Sequence, residues 1–391
     1  MKPTYKTTIV ACFIGYIVQA IVNNFIPLLF ITFQNSYNIP LSQITLLVTF
    51  NFGVQLLVDL LATKFVDKIG YRTSIVIAHI SSAVGLLLLT VLPNVMNPFI
   101  GILISVSIYA IGGGIIEVLI SPIMESCPTD NKEKAMSLLH SFYCWGHVGV
   151  VLISTLFFKI FGIECWKYLA VIWALVPLAN TFIFCKTPIA PLIADGEKGM
   201  SIKELFVNKT FWILMIMMVC SGASEQGVSQ WASAFAEQGL GISKTLGDLA
   251  GPLTFAVLMG LSRAFYGKYG DKINLDKFMI GSSILCIIAY LVVSLCPSPI
   301  ISLIGCAICG LSVGIMWPGS FSKAAASLRT GGTAMFAFLA LAGDLGCSSG
   351  PTLVGFVANT LNDNIKIGIL SAVIFPIVLL LCLVFSRKKE M

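Results

Sequence analysis

Thr63-Lys64-Phe65-Val66-Asp67-Lys68-Ile69-Gly70-Tyr71-Arg72 closes one apolar run, 43–63, and leads into the next, 73–92. A related string, Gly267-Lys268-Tyr269-Gly270-Asp271-Lys272-Ile273-Asn274, stands between two later runs, 246–266 and 278–296. In each half an Asp-Lys pair follows the second run, and a charge stands eight residues earlier, Asp59 in the first copy and Arg263 in the second. Matching punctuation at both levels reads as two parallel repeats with a pathway between them.

Outward from these strings, the rest of the chain divides in the same way. A bilayer core of about 30 Å needs about 20 apolar residues per helix. Runs of that size fall at 7–33, 43–63, 73–92, 99–124, 135–158 and 166–184, and after a polar connection at 211–235, 246–266, 278–296, 300–325, 334–357 and 367–385. The expected fold is therefore an all-α polytopic membrane protein of twelve transmembrane helices. Its expected parts are an N-terminal six-helix bundle (1–186), a cytoplasmic linker (187–209) and a C-terminal six-helix bundle (210–391).

Composition agrees. Of 391 residues, 57% are hydrophobic and 11% charged, against roughly 25% charged in a soluble globular chain. The net charge of +6 is spread singly between apolar blocks and forms no patch suited to nucleic acid. Of the 24 Lys and Arg residues, all but Lys159, Lys167, Lys244 and Lys366 fall on one side of the bilayer if the connections alternate. That bias places both termini in the cytoplasm. Lys2 and Lys6 precede an apolar run with no small-residue cleavage site, so the run is expected to be an uncleaved first span.

The twelve cysteines lie mostly inside apolar runs, and Cys306 and Cys309 form a single CxxC with no second pair, so neither a disulfide framework nor a metal site is expected. There is no HExxH, no GxxxxGK[ST] and no GxSxG, and enzyme readings, like cofactors, find no support.

The string around Asp67 resembles the signature loop of the major facilitator superfamily, G-x-x-x-D-R/K-x-G-R/K-R/K, with Asp67, Lys68, Gly70 and Arg72 in place, Thr63 for the leading Gly and Tyr71 for one basic residue. A narrower resemblance is to the fucose permease-like sugar symporters. It rests on Gly112-Gly113-Gly114-Ile115-Ile116-Glu117 leading to Ser121-Pro122, and on His140-Ser141-Phe142-Tyr143-Cys144-Trp145-Gly146, where that family has Gln and Asn at the places of His140 and Tyr143. Asn23, four residues before Pro27, stands where the family carries an Asp, one of its two proton-linked acids. The resemblance implies alternating access, with Asp67, Arg72 and Asp271 in a cytoplasmic gate.

An ionisable group at the bilayer centre costs upward of about 2.5 kcal/mol and is a functional candidate by default. Glu117 lies about 12 Å inward of Glu125, and His140 about 9 Å inward of Lys134, at a rise of 1.5 Å per residue. Glu117 reads as a proton or cation site or as a static interhelical hydrogen bond, and His140 as a proton partner, a sugar-hydroxyl donor or a structural histidine. Glu225 and Gln226, with Gln230 and Trp231 a turn later, suit the hydroxyls and C–H faces of a sugar. Gln19, Asn23 and Asn24 add amides from the first half, and all of these amides can instead join helices.

Asp344, between Gly343 and Gly346, reads as a cation site or a structural ion pair, and Asp59 and Arg263 as a gate pair or as locally paired charges. Trp145 and Trp317 read as cavity or packing aromatics. The expected protein is a monomeric secondary transporter in the cell membrane, moving a monosaccharide or similar polyhydroxylated solute with a proton or sodium as candidate coupling ion. The alternatives are an exporter of amphipathic compounds and, in another class, a membrane enzyme or receptor.

Overall fold

The computed structural model describes residues 4–128, 132–189, 200–328, 330–362 and 364–387. Its regular structure among these residues is helical. Two compact units divide the chain, 1–194 and 195–391.

The first unit begins with α1 (Tyr5–Asn24). Pro27 cannot donate to a helical ladder, and a 3-10 turn, Ile26–Leu29, interrupts the span before α2 (Phe30–Tyr37) completes it. There follow α3 (Leu41–Ile69), α4 (Tyr71–Val95), α5 (Pro98–Ser126), α6 (Lys132–Phe161) and α7 (Trp166–Lys186). Most of the string expected as a loop after the second span is helical. A single residue, Gly70 at φ 89° and ψ 147°, turns α3 into α4, and only glycine holds that backbone without strain. Asn97 caps α5, its side chain accepting from Ile100 N at 3.2 Å, with Pro98 as the first residue.

The second unit opens with a short helix, α8 (Ile202–Val207). It is closed by a capping box in which Glu204 accepts from Ser201 N at 2.7 Å and Ser201 Oγ accepts from Glu204 N at 3.3 Å. The Ser201 backbone N–H and hydroxyl together hold the Glu204 carboxyl below the usual carboxylate range. Then come α9 (Lys209–Ser229), α10 (Ala232–Ala234), α11 (Lys244–Asp248) and α12 (Thr254–Tyr269). The remainder comprises α13 (Leu275–Leu295), α14 (Pro299–Val313), α15 (Met316–Ser327), α16 (Gly332–Thr360), α17 (Ile365–Ser371) and α18 (Ile374–Arg387).

Spans expected as single helices are broken here. The span at 211–235 continues past Ser229 only as α10 and a π-turn, Phe235–Gly239; a second π-turn, Leu249–Leu253, contains Pro252. The span at 300–325 breaks between Val313 and Met316.

Eleven helical segments among the described residues are long and apolar enough to cross a bilayer. The twelfth span is α16, 29 residues long, whose Asp344, Gly350 and Pro351 lower its hydropathy. Large apolar residues such as Leu57, Phe182, Ile304 and Phe385 stand on the outside of the units, as lipid-facing side chains do. Inside, small residues let helices approach closely: a Cβ at Gly350 of α16 would lie 2.6 Å from Ala223 O of α9.

Candidate functional site

In the first unit, α1, α3, α5 and α6 bring a set of buried polar side chains together. Gln19 on α1 donates through Nε2 to Gln55 Oε1 at 2.9 Å and to Glu117 Oε2 at 2.8 Å. Gln55 in turn donates to Asn23 Oδ1 at 2.9 Å, and Asn51 donates to the same oxygen at 3.2 Å. Asn24 donates to Ala20 O at 2.9 Å and to the Tyr143 hydroxyl at 3.3 Å. Tyr16 shares a hydrogen bond of 2.9 Å with Ser121, and its ring lies 5.0 Å from that of His140. The structure thus joins Gln19, Asn23 and Glu117 in one network, and Asn24 and Tyr143 in a second contact.

Asn51, Gln55 and Tyr16 are not among the residues singled out from sequence, and Ser121 entered only as part of a motif. A signal was present: Asn51, Gln55 and Asp59 recur every fourth residue on α3, a polar stripe in an otherwise apolar helix. All three are buried, with Asp59 one turn beyond the network.

In the second unit, Arg263 of α12 donates through Nη2 to Glu225 Oε2 of α9 at 2.9 Å and through Nε to Gly314 O at 2.9 Å. That carbonyl lies at the break between α14 and α15. The partner of Arg263 within the second unit is thus Glu225. The same carboxylate accepts from Gln226 at 3.2 Å, and Gln230 donates to Gln226 Oε1 at 2.8 Å.

Trp231 donates its indole N–H to Pro351 O at 3.0 Å and is 1% exposed, so it ties the junction between α9 and α10 to α16. Trp317 lies so close to Gly343 that a Cβ there would collide with its ring, and the neighbouring Asp344 is buried. Trp145 is 40% exposed. In the same unit, the buried Asp248 accepts from Ser233 and pairs with Lys244 at 3.2 Å.

At the end of α7 in the first unit, Arg72 donates to Phe184 O, Cys185 O and Thr187 O at 2.8, 2.9 and 2.7 Å. These are carbonyls that a helix C-terminus leaves without a partner, and a guanidinium fork suits them. The side chains of Asp67 and Asp271 lie outside the described residues. Among the described residues no group of His, Cys, Asp and Glu side chains could hold a metal ion, and all twelve cysteines are free thiols.

The model of the family described as Major Facilitator Superfamily matches residues 9–351. No curated protein sequence matches. Among solved structures, that of the E. coli fucose:proton symporter is 16% identical, with a TM-score of 0.72 over 97% of this chain and 98% of that one. That of a proton:xylose symporter of the same superfamily is 13% identical, with a TM-score of 0.80 over 98% and 95%. A bacterial homologue of the human lysosomal transporter Spinster is 14% identical, with a TM-score of 0.75 over 99% and 98%. At these identities the likeness establishes the fold.

Proposed function

The chain belongs to the Major Facilitator Superfamily, and from that premise we propose that it moves a small polar solute across the cell membrane by alternating access. The solute class is a monosaccharide or a related polyhydroxylated compound, and both termini lie in the cytoplasm. One observation carries the reading: each unit buries a cluster of side-chain amides inside apolar helices, Gln19, Asn23, Asn51 and Gln55 in one and Gln226 and Gln230 in the other. Amides offer donor and acceptor side by side, the pairing that a sugar hydroxyl needs. The solved symporters of fucose and xylose share the fold, which is in keeping with this class.

A buried cation can also attract an anionic solute. Arg263, however, is already compensated by Glu225, which disfavours an organic anion at that point. Glu117 is the coupling group in this reading, because it is a carboxylate held by a neutral amide in the apolar part of α5. Thermal shift of the purified protein against a panel of sugars, polyols and nucleosides, followed by counterflow in liposomes with the solutes that stabilise it, tests the proposal. Stabilisation by amphipathic drugs alone would favour the exporter reading.

A further inference from the structure

The amide network of the first unit is richer in acceptors than in donors. Gln19 uses its Nε2 on Gln55 Oε1 and Glu117 Oε2, and Gln55 uses its own on Asn23 Oδ1 and, at 3.4 Å, Asn51 O. Gln19 Oε1 and Asn51 Oδ1 accept from no donor among the described residues, although the two side chains are 2% and 6% exposed. A buried amide oxygen left in that condition costs about 1–3 kcal/mol and calls for an electropositive guest.

Gly113 shows where a guest would sit. A Cβ built on it would lie 3.1 Å from a Val22 methyl and 3.2 Å from each of Gln19 Oε1 and Gln55 Oε1, so both oxygens converge on the bare glycine stretch of α5. Glu117, a turn further along, brings a carboxylate to the same amide.

The two amide oxygens at Gly113 are hard, neutral ligands, and the one carboxylate held on the N–H side of Gln19 brings a single negative charge, which suits a monovalent cation and falls short of what a divalent ion demands. We propose that Gln19 Oε1 and Gln55 Oε1 bind Na+ against Gly113, with Glu117 supplying the compensating charge from the N–H side of the Gln19 amide. A proton fits this arrangement less well. A protonated Glu117 is a donor, yet Gln19 presents it with an N–H and turns its own oxygen elsewhere, and the direction of that amide is tied to the chain through Gln55 to Asn23. The inference rests on the reading of Glu117 as the coupling group of a solute transporter.

The test is binding of radioactive sodium to the purified wild-type protein at fixed pH without solute. It is paired with unfolding midpoints in NaCl, KCl and choline chloride at equal ionic strength. Saturable binding, with a midpoint raised by Na+ above both other salts, is the expected result. Gly113→Ala, which puts a methyl group onto the two oxygens, and Gln19→Ala should each weaken binding by roughly tenfold or more, and each variant's midpoint in NaCl is compared with its own midpoint in choline chloride, so that a loss of stability is separated from a loss of binding. Gln55→Glu adds a second carboxylate and should tighten binding.

No saturable binding by the wild type, or equal midpoints in all three salts, overturns the proposal whatever the variants do. A protein that exchanges solute in liposomes yet binds no Na+ overturns the sodium site and leaves the transport reading standing. One that binds Na+ and exchanges no solute overturns the transport reading alone.

Discussion

Arg263 and Glu225 form an ion pair of 2.9 Å between α12 and α9, with side chains 3% and 8% exposed. The guanidinium also holds the carbonyl of Gly314 where α14 gives way to α15, so one side chain joins three spans. Removing one partner leaves the other charge uncompensated, which costs about 3–5 kcal/mol in a buried setting. Arg263→Met and Glu225→Gln should each lower the unfolding midpoint steeply, and the double variant should be less harmed than the sum of the two. Thermal unfolding in detergent checks this, and additive losses would contradict a direct pair.

Gly70 joins α3 to α4 at φ 89°, a backbone that a Cβ strains. Gly70→Ala should destabilise the first unit by about 1–3 kcal/mol. The comparison is with Gly53→Ala, a position inside α3 where a Cβ meets nothing within 4 Å. Equal midpoints for the two variants would show that the turn tolerates a side chain.

The two strings that open the sequence reading were legible because charge, glycine and tyrosine interrupt apolar runs, and a bilayer admits few such interruptions. Spans were legible for the same reason. Their internal breaks were not, since Pro27 and Pro252 are tolerated in membrane helices and only packing decides where the ladder fails. The partner of Arg263 was hidden as well. Glu225 lies 38 positions away on another helix, and no spacing rule connects the two. Gln55 stands inside an apolar run that hides it, and only its period with Asn51 and Asp59 marks a single polar face.

Gln226 and Gln230 are hydrogen-bonded to one another, while Trp231 is committed to Pro351. Gln226→Ala and Gln230→Ala should therefore each weaken solute binding by about 1–3 kcal/mol through unpaired hydroxyls. Trp231→Phe should instead cost about 1 kcal/mol of stability and leave affinity nearly unchanged. Calorimetric titration beside thermal unfolding separates the two effects. A large affinity loss in Trp231→Phe would move the indole into the solute site.

Arg72 closes the end of α7 through three carbonyls, the last of them Thr187, where the linker begins. Arg72→Gln cannot span all three. The segment after Lys186 should then be cut a few times faster in limited proteolysis, with little change in solute affinity. Unchanged cutting would show that the contact to Thr8, which donates to Pro188 O at 2.6 Å, suffices to hold it.

The central claim is that this chain exchanges a polyhydroxylated solute by alternating access, with Glu117 linking the exchange to a cation. Its most direct test is counterflow and gradient-driven uptake in one liposome preparation, with wild type beside Glu117→Gln. Glutamine keeps a hydrogen-bonding group beside Gln19 but carries no charge. Both proteins should exchange labelled for unlabelled solute. The wild type alone should accumulate it under an imposed cation gradient. Accumulation by Glu117→Gln under the same gradient, or the absence of exchange by wild type with every solute that stabilises it, would contradict the account.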